Sequence, residues 1–131
     1  MIKSPATSIS ELIDTDDEYW TVFVGHEPNA PANAITVYDQ EGIDTRAHTG
    51  EVWENPRIQI RIRGLDYETT YQKMKEIGRF LMFLTPYDDS GHRYQGCVRF
   101  GSPYYLGFDE QRRVTWSMNF EVHRSEVSFS S

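Results

Sequence analysis

Between Arg57 and Arg63 polar and apolar residues alternate without a break. Ile58, Ile60 and Ile62 fall on one side of an extended chain, and Arg57, Gln59, Arg61 and Arg63 fall on the other. This pattern predicts a strand over residues 56–63. A second alternation is as clear: Val114, Trp116, Met118, Phe120 and Val122 point one way, and Thr115, Ser117, Asn119, Glu121 and His123 the other. Aromatic and β-branched runs predict further strands at 19–24 and 34–39, joined by a turn-rich stretch that holds Pro28 and Pro31. Another strand spans 93–100, is broken by Gly-Ser-Pro, and resumes over 104–108. Residues 109–112 then form a hairpin-like link to the last strand.

A different period begins after Gly64. Tyr67, Tyr71, Met74, Ile77, Leu81 and Leu84 recur at steps of three and four, which predicts one long helix over 67–84. Asp66 stands at its N-cap, Lys73, Lys75, Glu76 and Arg79 on its wet side, and Pro86 ends it. A short helix over 8–14 would present Ile9, Leu12 and Ile13. Runs of strands with one main helix predict an α+β fold, in which a single antiparallel or mixed β-sheet packs against the long helix. Residues 40–55 show no clear period and predict a long loop with Gly42, Gly50 and an isolated Trp53. Trp53 there either serves as a docking residue or folds back over the core. The polar residues 125–131 read as a C-terminal extension.

Composition narrows the classes. The chain has 131 residues, 38% hydrophobic and 14% aromatic, enough for one domain with a real core. Its net charge of −7 disfavours sequence-independent binding to nucleic acid. A single cysteine, Cys97, rules out an internal disulfide and a multi-thiolate zinc site, and fits a reducing compartment. No run has the apolar length of a membrane span, and the N-terminal residues lack the apolar segment of a signal peptide. A soluble protein is expected.

Candidate chemistry is thin. His26, His48, His92 and His123 stand far apart in sequence, and the glycines form no phosphate-cradling run. The acidic stretch 14–18, with Asp16 and Asp17, lacks the glycine and glutamate of a calcium loop and reads as a solvated turn. No catalytic, metal or cofactor site is expected. The arginine row is the feature to explain. It could be solvated, could pair with cross-strand residues such as Glu121, or could meet the acidic 14–18 stretch of a neighbouring copy in a head-to-tail ring.

Three stretches then carry a resemblance: EPNAPANAITVYDQEG at 27–42, NPRIQIRIRGLDYETTYQKMKEI at 55–77, and YLGFDEQRRVTWSMNFEV at 105–122. Their order and spacing resemble those of the minor capsid or tail-terminator family of long-tailed bacteriophages. The resemblance implies a non-enzymatic virion protein that assembles in the host cytoplasm and sits at the head-proximal end of the tail. It implies a hexameric ring that caps the tail tube, stops its polymerisation and joins the head connector, with DNA passing through the lumen without specific binding and no membrane partner. Subunit contacts would then involve Arg57, Arg61, Arg63, Trp53, Asp16 and Asp17. A head-completion (neck) protein or a tail-tube subunit is the alternative within the same plan, and a small enzyme the alternative outside it.

Overall fold

The computed structural model describes residues 3–13, 19–46 and 52–126, with side chains placed for all of these except 41–46, 52–54 and 126. Elements follow in the order α1 (Pro5–Ile13), β1 (Thr21–Val24), β2 (Ala34–Arg46), β3 (Val52–Gly64), α2 (Tyr67–Met82), β4 (Tyr87–Asp89), β5 (His92–Arg99), β6 (Tyr104–Phe108) and β7 (Val114–Glu126). The fold is mixed α+β. One seven-stranded sheet runs β1-β2-β3-β7-β5-β4, with β6 also paired to β7. β1 is parallel to β2, and every other pair is antiparallel.

β3 and β7 are the middle of this sheet because their alternation suits burial. Ile58, Ile60, Ile62, Met118, Phe120 and Val122 are fully buried, and Val37 and Ile35 of β2 join them. Each such side chain contributes about 1.5–3 kcal/mol relative to exposure. Both helices close this one face, α1 through Ala6, Ile9 and Ile13, α2 through Met74, Ile77 and Leu81, in one continuous cluster.

The expected long helix is shorter than predicted. α2 has 16 residues and stops at Met82. The N–H of Phe83 bonds back to Arg79 and Leu81 carbonyls, and that of Leu84 to Leu81, so the last turn tightens before Pro86. A proline also disfavours helical backbone in the residue before it, here Thr85. Leu84 still packs on the core from outside the helix, whereas Tyr67 is exposed and Lys73, expected on the wet side, is buried. Asp66 caps as its position predicts, accepting from the N–H of Thr69 at 2.8 Å. α1 begins earlier than 8. Ser4 is its cap, with Oγ accepting from the N–H of Thr7 at 3.1 Å, and Pro5 takes the first helical position, where a missing N–H costs nothing. Ala6 occupies the buried stripe that Leu12, exposed, does not.

Residues 40–55 are largely strand rather than loop. β2 and β3 are each 13 residues long and stay paired outward to Arg46↔Val52. A register shift between Gln40 and Ile43 interrupts the ladder. Such a bulge resets the alternation, which is why no period is visible along the sequence. The extension at 125–131 is also shorter than expected: β7 runs through Glu126, held by Ser125↔Trp53 and Glu126↔His92. A further hairpin, unforeseen, joins β4 to β5. Its two-residue turn places Ser90 at φ 51° and Gly91 at φ 86°, the positive pair that matches strand twist.

At the β3–α2 junction backbone and side chains crowd one position. A Cβ on Gly64 would lie 2.2 Å from Thr70 Oγ1, 3.1 Å from the Trp20 ring and 3.2 Å from Asn33 Oδ1. Thr70 cannot swing away freely, because its hydroxyl donates to the Asp66 carbonyl at 2.6 Å. Asn33 is tied to the N–H of Leu65 at 3.1 Å. Gly64→Ala is therefore expected to destabilise the fold by about 1–3 kcal/mol, as overpacking does; urea unfolding of the two proteins measures it, and an unchanged midpoint would show that the junction yields.

Candidate functional site on the polar face of the sheet

The face of the sheet opposite the helices carries the arginine row. Register sets Arg57 beside Glu121, Arg61 between Thr36 and Ser117, and Arg63 between Ala34 and Thr115. The row is met from within the chain. Glu27, in the connector between β1 and β2, lies across two of the arginines. Its Oε1 accepts from Arg63 Nη1 at 2.9 Å, and its Oε2 lies 3.3 Å from Arg61 Nε. The second contact has ion-pair length without hydrogen-bond alignment, and Glu27 Oε2 and Arg61 Nε are both buried without a hydrogen bond.

Arg63 is structural. Only 4% exposed, it also donates to the carbonyls of Pro31 at 2.7 Å and Ala32 at 3.2 Å. A second buried arginine holds the same connector. Arg113 donates to the Asn29 carbonyl at 2.5 Å and to its side chain at 3.2 Å, while Asp109 braces it at 2.6 Å. The hydrogen bond from the Arg113 N–H, with others from its side chain and from the Gln111 N–H, holds the Asp109 carboxyl below the usual carboxylate range against the opposing effect of burial. The two arginines thus pin a proline-rich connector that has no regular backbone ladder of its own. Fixing such a segment is what buried, fork-shaped guanidinium groups do well.

Toward the other end the row is wetter. Arg57 lies 3.8 Å from Glu121 and stacks at 4.2 Å over the Phe100 ring, and Glu121 also contacts His123 at 2.8 Å. Gln59 bridges Ser117 at 3.0 Å and the Tyr104 hydroxyl at 3.3 Å. Hydrogen bonds with Ser117, then Asn119, keep the Tyr104 phenol below its ordinary value. Burial, then the Glu27 charge, pushes the Tyr38 phenol up.

The residues expected at subunit contacts therefore divide. Arg57, Arg61 and Arg63 share one face, but Arg63 is committed inward, which leaves Arg57 and Arg61 about a third open. Cross-strand pairing with Glu121 is present, as one reading of the sequence had it. Trp53 sits on the β3 backbone opposite Thr45 and Ser125; its side chain, and Asp16 and Asp17, lie outside what is described. Glu27, Asn29 and Arg113 were missed. Glu27 falls in a stretch without periodicity, and its contact with Arg63 spans 36 positions, so no local signal marks it. Asp109 and Arg113, four apart in a turn, were the one available hint.

Among the described residues no group of three or more His, Cys, Asp or Glu is placed to hold a metal, and no helix is long and apolar enough to cross a membrane. Burial pushes the Cys97 thiol up to about 12, where a nucleophilic thiolate is scarce at neutral pH.

Residues 6–126 match a family model described as bacteriophage tail terminator protein. Among solved structures, a chain from the virion of a native gene transfer agent particle superposes with a TM-score of 0.59 at 12% identity, over 89% of this chain and 84% of that one. At that identity the likeness concerns the fold. No curated protein matches.

Two measurements test the site. Glu27→Ala should cost about 3 kcal/mol, because it strands a buried guanidinium, whereas Glu121→Ala, at a half-open pair, should cost under about 1 kcal/mol. Equal losses in chemical denaturation would show that Glu27 is no anchor. The Cys97 thiol should resist alkylation at pH 8 in the folded protein and react promptly in denaturant; equal rates would contradict its burial.

Proposed function

Since the chain belongs to the bacteriophage tail terminator family, and so is a structural protein of the phage tail, we propose that it forms a closed ring at the head-proximal end of the tail. The ring caps the tube, stops its polymerisation and offers a joint to the head connector. Six copies, with DNA passing through the lumen unbound and assembly in the host cytoplasm, complete the reading. The observation that carries it is the extent of the family match, which takes in every element from α1 to β7.

The structure offers features that suit the role. A chain of net charge −7 repels a passing polyanion. The charges of the three arginines are offset by Glu27 and Glu121. The outer β2–β3 hairpin is a paired arm suited to docking against the tube or the connector. The same hairpin favours the second reading, a tail-tube subunit, since a long arm can also link stacked rings.

Particles assembled without the protein separate the two. The terminator reading expects tubes of irregular, excessive length and free heads in electron micrographs. Tubes of normal length, or no tubes, would refute it, and the second outcome would favour a tube subunit. Removing residues 45–52 should leave the far-ultraviolet circular dichroism of the protein nearly unchanged yet abolish infectious titre; a wild-type titre would overturn the docking role of the hairpin.

A further inference from the structure

A sheet that does not close leaves open edges, and proteins that remain monomers guard theirs with charge, proline or cover. This sheet has edges of two kinds. β4 (Tyr87–Asp89) is guarded: Asp88 pairs with Arg93 at 2.9 Å, and Asp89 with Lys3 at 3.4 Å and Ser8 at 2.9 Å. β1, with the sequence TVFV, and β6, with YYLGF, hold neither a charge nor a proline. In a chain with 33 charged side chains at 13 basic and 20 acidic, the two strands stand out as uncharged.

They also stand at opposite ends. Among the described residues β1 borders only β2, and β6 borders only β7, so the path β1-β2-β3-β7-β6 has one unguarded strand at each end. Both are rimmed by exposed apolar groups. Tyr104, Leu106 and Phe108 are 42%, 46% and 66% exposed on β6, and Tyr67 of α2 extends that rim with its ring 5.6 Å from Tyr105. On the other side Val24 is 42% and Tyr19 45% exposed.

We propose that neighbouring copies join by strand addition, β1 of one copy pairing with the free edge of β6 in the next. This rests on the ring reading above and says which surfaces make the ring. An open strand edge presents a row of backbone donors and acceptors that another strand can pair with in place of water. Neither edge carries a charge to repel the other, which matters between copies that each carry −7. The two edges differ, so the contact is head-to-tail, the kind that closes into a ring. Direction is fixed as well. β1 and β2 run together, β3 opposes them, β7 returns and β6 opposes again. Rotation about an axis along the strands preserves direction, so β6 meets the next β1 antiparallel.

The test uses the full-length protein with Val24→Lys and Leu106→Lys, both at exposed positions. Each should keep its thermal midpoint and circular dichroism, yet raise the concentration needed for assembly by about tenfold or more in light scattering. An equimolar mixture should form a dimer and no ring, because each variant retains one sound edge. In the wild-type assembly, amide hydrogen exchange at 21–24 and 104–108 should slow by about tenfold or more relative to the dissociated protomer. A ring that forms unchanged in both variants, with fast exchange at both segments, overturns strand addition and leaves the ring itself standing. A wild-type protein that stays monomeric at every concentration, alone and with tail tubes, overturns the ring and this contact together.

Discussion

β3 must be buried on two faces and hydrogen-bonded on two edges, and the rest of the structure is arranged around that demand. One face carries isoleucines and asks only for apolar cover, which the two helices provide. The other carries guanidinium groups, and one of them, Arg63, lies almost wholly out of water. A buried cation without a partner is costly enough to unmake a small domain. Glu27 supplies the partner, and the carbonyls of Pro31 and Ala32 accept from two of the remaining donors. The connector between β1 and β2 is therefore shaped by a strand far away in sequence. A slip of one residue in β3 would exchange its faces and put arginines beneath α2.

How much of this could be read from the sequence follows from where each force acts. β3, β7 and the interrupted β5–β6 line were legible because a half-buried strand writes its burial into a period of two. The inner face of α2 was legible for the corresponding reason at a period near 3.6. The outer arms of β2 and β3 were not. Their strand character comes from backbone pairing, and the bulge near Gly42 erases the period. β4 escaped notice because its three residues are mostly charged, which suits an edge and resembles a turn. The start of α1 at Ser4 and Pro5 was missed because the apolar stripe visible in the sequence, Ile9, Leu12 and Ile13, begins later. Within the candidate site the arginine row was plain, but its principal counter-ion was not, because pairing across the fold leaves no local mark.

The charge pattern also changes what assembly can rest on. A free basic stripe on an acidic chain invites head-to-tail ion pairs. The structure instead satisfies much of that stripe internally and leaves only Arg57 and Arg61 partly open. Ion pairs at a wet rim add selectivity more than affinity. Cohesion between copies is better sought where the surface is apolar and the backbone unsatisfied.

The β2–β3 hairpin has a mechanical meaning. Its β3 arm is clamped to β7 at Trp53↔Ser125 and Glu54↔Arg124, and β7 is clamped in turn to β5. Tension on this arm would be shared laterally as shear across several rungs rather than unzipping one bond at a time. Shear-loaded ladders break at much higher force than peeled ones, so the arm behaves as a strut. A load reaching its outer end would pass through it to the middle of the sheet without first taking up slack.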